Sequence, residues 1–270
     1  MTATVTRNMI PDQDRLIYAL DGMSLEQAIR QVRALSDVIK IYKIGPALIY
    51  EGGMAVAAQI ALAANGGNIR VFLDMKTADI PETMFSAIEA IERTDVQTVV
   101  FATIHAFGNL RKVAEAKDKA KYKFKIFAIT LLTSMDDSDL RDVGIQFSVP
   151  EYVLAMAKRA KSFGFDGVIS SGQEARSIRS ECGDDFLIVT PGIRLAGSAV
   201  ESDDQKRVVT PRQAILNGAD YIVVGRPIRR APDPLAAAKA IQHEIATAVA
   251  DRERGATSRG PGSPQLMAAS

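Results

Sequence analysis

The chain has 270 residues, 33 basic against 32 acidic side chains, one cysteine and no tryptophan. With 47% hydrophobic and 24% charged residues it has the composition of a globular protein able to bury a core without disulfides or metal. A net charge of +1 argues against a dedicated nucleic-acid binder, and Cys182 cannot form an internal disulfide, which fits a reducing, cytoplasmic setting. Met1–Asp14 lacks the apolar core of a signal peptide, and the richest apolar stretch, Met54–Ala64, is too short to span a bilayer. His105, His243 and Cys182 are the only soft ligands, so no zinc site is expected.

In chain order, β-type runs alternate with helical patterns. The runs are LIYAL (16–20), VIKIYKI (38–44), IRVFL (69–73), TVVFATI (98–104), FKIFAITLL (124–132), GVIS (167–170), FLIVT (186–190) and YIVV (221–224). Between them, helical periodicity covers Leu25–Leu35, Pro46–Ala64, Pro81–Glu92, Pro150–Phe163 and Pro211–Asn217. Several of these open on proline, whose missing N–H costs nothing in the first turn. Repeated β-then-α order predicts parallel strands joined by crossover helices, and eight units in about 240 residues match a (β/α)8 TIM barrel. A doubly wound sheet is the alternative, but no G-x-G-x-x-G follows the first strand and no phosphate-loop motif occurs.

The expected organisation is one barrel domain over residues 1–250. A disordered Gly/Ser/Pro-rich tail is expected over residues 251–270. The lysine-rich stretch Arg111–Lys125 reads as a solvated helix end leading into a strand. Gly192–Arg207 is long and polar for a strand-to-helix connection and is expected to act as a lid.

Barrel chemistry gathers at the C-terminal strand ends, and nearly every run stops there on a polar residue. In order these are Asp21, Lys43, Asp74 with Lys76, His105, Thr133 and Ser134, Ser170 and Ser171, Arg194, then Gly225 and Arg226. Asp74 and Lys76 are two apart, so an extended chain aims both to one side. Lys43 on the adjacent strand adds a second ammonium. Acid and base in close quarters hold each other ionised, giving a fixed field in place of a titrating pair. Asp79 follows in a short turn, where helix N-capping is the plainer reading. Gly225 before a short helix, with Arg226 beside it and Arg194 on the preceding loop, has the makings of a phosphate site. His105 reads as a hydrogen-bonded strand-end residue, His243 as surface, and Cys182 as a small buried residue.

IYALD, YKIG, DMKTADIPET, IHAFGN, TLLTSM, GVISSGQEA, VTPGIR, DQKR and VVGRPI stand in the order and spacing of one family. Over roughly Leu16–Ala240 the chain resembles the bacterial-type orotidine 5′-phosphate decarboxylases. Asn109, where that family usually has glycine, and Asp136-Asp137 are departures outside the core motifs.

The resemblance implies decarboxylation of orotidine 5′-monophosphate to uridine 5′-monophosphate in de novo pyrimidine biosynthesis, with no cofactor and no metal. It implies that Lys76 donates a proton to C6 and that Asp74 lies against the substrate carboxylate. Lys43 and Asp21 would hold the ribose hydroxyls and complete the charge network. Asp79, with Ile80 and Thr83, would enter the neighbouring subunit's site in a homodimer with shared active sites. Thr133 and Ser134 would meet the pyrimidine, and Arg194, Gln205, Gly225 and Arg226 the phosphate. No nucleic-acid polymer or membrane partner is implied. Magnesium-dependent phosphosugar enzymes of the same barrel type, such as 3-keto-gulonate-6-phosphate decarboxylase and hexulose-phosphate synthase, share the Asp-x-Lys-x-x-Asp strand. The IPET continuation, TPGIR and DQKR argue against them. A non-catalytic nucleotide-binding barrel would not call for Lys43, Asp74, Lys76 and Asp79 together.

Overall fold

The computed structural model describes residues 7–64, 68–93, 99–105, 111, 113, 124–195 and 205–257. Eight parallel strands close into a barrel in sequence order. They are β1 (Leu16–Ala19), β2 (Ile41–Ile44), β3 (Arg70–Thr77), β4 (Val99–His105), β5 (Lys125–Ile129), β6 (Gly167–Ile169), β7 (Leu187–Thr190) and β8 (Tyr221–Val224). Pairing of Ile17 with Val223 and of Tyr18 with Val224 shuts the ring.

Period-two alternation divides the strand residues between two cores. Ile17, Ala19, Ile41, Phe72, Phe101, Phe127, Leu187, Val189, Tyr221 and Val223 fill the barrel interior. Tyr18, Tyr42, Val71, Leu73, Ile126, Val168, Ile188, Ile222 and Val224 belong to the larger core that includes the helices. Phe101 is the hub of the interior, edge-on to Phe72, Phe127 and Tyr221 with ring centroids 5.7, 5.0 and 5.0 Å away. Ile10 packs into the same interior cluster. The buried Arg15 side chain donates to the Ile10 and Arg7 carbonyls, each at 2.9 Å, and to the Asp220 carbonyl at 3.2 Å, tying the N-terminal segment to the start of β8.

Helix boundaries follow local chemistry. Capping boxes at Ser24/Gln27, Ser148/Glu151 and Thr210/Gln213 open the helices Leu25–Leu35, Val149–Phe163 and Pro211–Asn217. The stretch read as one helix over Pro46–Ala64 is two, Pro46–Gly52 and Ala55–Leu62, because Gly53 takes a positive φ of 60° and breaks the run. The last helix, Pro234–Thr257, continues seven residues into the segment expected to be a tail. There Arg212 meets Asp251 at 2.6 Å, and Arg252 donates to the Ile215 carbonyl at 3.3 Å. Residues 258–270, most of the Arg111–Lys125 stretch, Asn109 and residues 196–204 of the expected lid lie outside the described residues. Among the described residues no helix is long and apolar enough to cross a membrane.

Phe101→Ala leaves a void on three aromatic faces, so it is expected to lower stability by about 3–5 kcal/mol. Urea denaturation should show an earlier midpoint with an unchanged slope.

Candidate active site

The inward columns that fill the barrel continue beyond its apolar layer and there change character. On β2, Ile41 is followed two residues later by Lys43; on β3, Phe72 is followed by Asp74. Both polar side chains therefore enter the mouth of the barrel from the same faces that form its floor. With residues from the other strand ends they line a cavity of about 550 Å³.

Lys43, Asp74 and Asp21 form a continuous row with Lys76. The Lys43 ammonium lies 2.6 Å from Asp21 Oδ2 and 2.9 Å from Asp74 Oδ2. The Lys76 ammonium donates to the same Asp74 oxygen at 2.8 Å. Asp74 Oδ1 accepts from the Thr103 hydroxyl at 3.1 Å, and Thr103 Oγ1 in turn accepts from the Lys76 N–H at 3.0 Å. Asp74 and Lys43 are both 7% exposed, so neither charge would survive there alone. Burial pushes the Asp74 carboxyl up, but Lys43 and Lys76 outweigh it and hold the pKa at about 2. Burial pulls the Lys43 ammonium down, while Asp74 and Asp21 raise it above the ordinary lysine value.

The path by which Lys76 joins this row differs from the simple extended-strand expectation. The β3–β4 register shifts between Leu73 and Thr77, and Lys76 has a φ of 49°, the only positive φ of a non-glycine residue among those described. A lysine in the left-handed region costs roughly 1–2 kcal/mol. The bulge is clasped by Thr103 from the neighbouring strand, and it turns the ammonium back onto Asp74.

Beyond the row the cavity lining is cationic. Arg194, Arg226, Arg229 and Arg230 all line it, with Gly225, Gln205, Thr133 and Ser134. A one-turn helix, Arg226–Arg229, follows Gly225 directly after β8. The two ends of the Gly192–Arg207 connection are pinned: Arg194 N–H donates to the Val209 carbonyl at 3.0 Å, and Val209 N–H to the Gly192 carbonyl at 3.2 Å. The Thr133 hydroxyl donates to Gln205 Oε1, and the Thr133 carbonyl accepts from the Lys206 and Arg207 N–H groups. Beneath them the buried Arg207 pairs with Glu174 at 2.8 Å and donates to the Leu131 and Leu132 carbonyls.

Of the residues singled out in the sequence, the cavity gathers Asp21, Lys43, Asp74, Lys76, Thr133, Ser134, Arg194, Gln205, Gly225 and Arg226. It does not gather Asp79, Ile80 or Thr83. Asp79 and Thr83 are exposed, and Ile80 is 65% exposed on the outer rim. Nor does Asp79 cap the helix Pro81–Arg93: its carboxylate accepts from the adjacent Ile80 N–H at 2.7 Å, one residue short of capping geometry. His105 ends β4 half-buried outside the cavity lining, its pKa lowered by burial and by Lys76, with Asp74 opposing. Thr103 and Arg229 escaped the sequence reading. Thr103 was detectable as a polar residue inside TVVFATI, and Arg229 as the third position after Arg226, one helical turn on.

Chemically, the row offers an ionised carboxylate fixed beside an accessible ammonium, and the arginine-lined part offers guanidinium groups suited to a dianion. Among the described residues no cluster of three or more His, Cys, Asp or Glu side chains could hold a metal ion. Because the Asp74 pKa is depressed, its stabilising contribution is present above the unfolded value near 4 and is lost as pH falls through about 2. The stability advantage of the wild type over Asp74→Asn, measured by urea denaturation, is expected to be flat above pH 5. It should shrink by about 2 kcal/mol as the pH falls to about 2.

Residues 14–241 match the model of the orotidine 5′-phosphate decarboxylase / HUMPS family. The orotidine 5′-phosphate decarboxylase of Rhodopseudomonas palustris is 44% identical over 239 residues, which is 88% of this chain and 97% of that protein. That of Methylococcus capsulatus is 45% identical over 236 residues, 87% of this chain and 93% of the relative. The crystal structure of orotidine 5′-phosphate decarboxylase from Lactobacillus acidophilus aligns with a TM-score of 0.70 at 35% identity, covering 86% of this chain and 99% of that one. With its charged row and arginine edge set in an eight-stranded barrel, the chain belongs to the orotidine 5′-phosphate decarboxylase / HUMPS family.

Proposed function

We propose that this protein is a carboxy-lyase that converts orotidine 5′-monophosphate to uridine 5′-monophosphate and carbon dioxide without a cofactor. The observation that carries the reading is the Lys43–Asp74–Lys76 row, in which one buried carboxylate oxygen is shared by two ammonium groups at the cavity wall. Breaking the C6–carboxylate bond leaves its electron pair at C6 in the ring plane, where the π system cannot accept it. A fixed ammonium beside C6 lowers the energy of that charge and then supplies the proton that completes the product. In this reading Lys76 donates the proton, and Asp74 faces the departing carboxylate. Lys43 and Asp21 hold the ribose hydroxyls and keep the row aligned.

Thr133 and Ser134 lie at the pyrimidine edge. Arg194, Gln205, Gly225 and Arg226 receive the phosphate, whose remote binding energy orients the ring and draws the Gly192–Arg207 connection closed. The cytoplasm is the compartment that goes with this small-molecule chemistry and with a single buried thiol, Cys182.

The direct test is loss of orotidine 5′-monophosphate absorbance, followed after exhaustive dialysis against a chelator. Full turnover is expected, because each carboxylate of the row is already matched to a lysine. Activity restored only by magnesium would favour the phosphosugar chemistry that shares this barrel.

The same reading makes the active enzyme a homodimer with shared sites. Asp79, Ile80 and Thr83 are exposed and absent from the lining of their own chain's cavity, which supports a reading in which they reach substrate across a two-fold interface. Lys76→Ala and Asp79→Ala homodimers are then each nearly inactive. In a mixed dimer both lesions fall in one site and the other is whole. Refolding equal amounts together should recover roughly a quarter of wild-type sites by this symmetry. The measurement is activity against separately refolded controls, and no recovery despite confirmed subunit exchange would place Asp79 in its own subunit's site or leave it a turn residue.

A further inference from the structure

We propose that Arg229 is a positioning residue that acts on substrate through Asp21, joining the helix of the phosphate site to the charged row. The proposal rests on the functional reading above, in which Asp21 meets the ribose and Arg226 the phosphate.

Arg226 and Arg229 stand at the first and last positions of one helical turn, and both line the cavity. Arg229 Nη1 donates to the main-chain carbonyl of Asp21. The same nitrogen lies flat against Gly22: a Cβ on that residue would sit 2.7 Å from it. Gly22 has a φ of 68°, so the turn after β1 is built on a residue with unusual backbone freedom just where it must present Asp21. The Asp21 side chain is 56% exposed, and its carboxylate is drawn inward by Lys43 at 2.6 Å. Lys43 thus fixes the carboxylate end of Asp21, and Arg229 fixes its backbone end. A guanidinium bonded to a carbonyl is a charge-assisted contact, and here it falls on the side of the glycine turn that faces the cavity. Since the same turn of helix carries Arg226, a dianion that settles this helix also settles Asp21.

Direct phosphate binding and positioning through Asp21 make opposite predictions for a substrate without phosphate. Arg229→Ala, Arg229→Lys, Asp21→Ala and the Asp21→Ala/Arg229→Ala double variant are assayed on orotidine 5′-monophosphate and on orotidine, with Arg226→Ala as comparator. Arg226→Ala is expected to lose activity on the phosphorylated substrate alone. Arg229→Ala is expected to lose about tenfold in kcat/KM on both substrates, in the range of coupling between linked sites. Arg229→Lys, which can still donate to the Asp21 carbonyl, restores most of it. In the Asp21→Ala background, removing Arg229 has no further effect, and the urea midpoint of Arg229→Ala stays at the wild-type value.

A loss confined to the phosphorylated substrate would make Arg229 a phosphate ligand and overturn the proposal. So would additive losses in the double variant, a lowered urea midpoint that accounts for the loss, or wild-type activity in Arg229→Ala. Absence of orotidine 5′-monophosphate turnover in the wild-type protein would overturn the functional reading, and this proposal with it.

Discussion

The site depends on a single carboxylate oxygen. Asp74 Oδ2 accepts from Lys43 at 2.9 Å and from Lys76 at 2.8 Å, in a place where a lone charge would be several kcal/mol too costly. Each ammonium makes the carboxylate tolerable, and the carboxylate does the same for them. Removing Asp74 leaves two ammonium groups facing each other, so both lysines depend on the one carboxylate. The barrel supplies two of them without effort, because Lys43 and Asp74 continue the inward columns of Ile41 and Phe72. Lys76 requires a departure from regular strand geometry. The shifted register and left-handed backbone are held by Thr103, which bonds both to the Asp74 carboxylate and to the Lys76 backbone.

At the arginine-lined part of the cavity the constraint is different. Arginine side chains are long, and an anion site made from them is only as well placed as the backbone beneath. The neighbouring backbone that carries Gln205 and Thr133 is anchored from below. The Arg207–Glu174 pair is buried, and Arg207 also holds the Leu131 and Leu132 carbonyls, so the arm carrying Gln205 and the loop carrying Thr133 form one platform. An isolated buried pair adds little net stability, but it fixes position well when its remaining donors are satisfied. The cavity lining is thus divided between a charged row and an arginine cluster. Such a division lets binding of a remote group serve chemistry at another atom.

Much of this was legible in the chain. Eight apolar runs with helical stretches between them predict the barrel, and polar residues at the run ends predict the mouth. Ten of the thirteen expected site residues line one cavity. What the alternation of residues could not reveal was backbone departure. Nothing in DMKTADIPET marks a bulge, since lysine is a poor left-handed residue and a strand rule sends its side chain the same way for a different reason. Asp79 stands where a helix cap could, but its carboxylate accepts from the adjacent Ile80 N–H one residue short of capping geometry. The break at Gly52-Gly53 was visible as a glycine pair but was outweighed by the apolar periodicity around it. Tail composition concealed a helix whose last turns are held by Arg212 and Arg252, contacts that only the folded barrel brings near.

The two lysines of the row differ in a way that assigns their work. Lys43 is almost wholly enclosed, with a carboxylate on each side, and those carboxylates raise its pKa above the ordinary lysine value. Such a group is a permanent source of field and a poor donor, because a proton it gave up could not readily be replaced. Lys76 has a carboxylate on one side, and its side chain is 38% exposed towards the cavity. In the proposed reaction it gives a proton to carbon in every turnover and must recover one from water before the next. Exposure is then a requirement of the cycle. A regular strand would also aim Lys76 to the side of Asp74, and the bulge sets where along the cavity wall the ammonium stands. Two chemically identical side chains, one enclosed and one exposed, thus take two roles on one carboxylate.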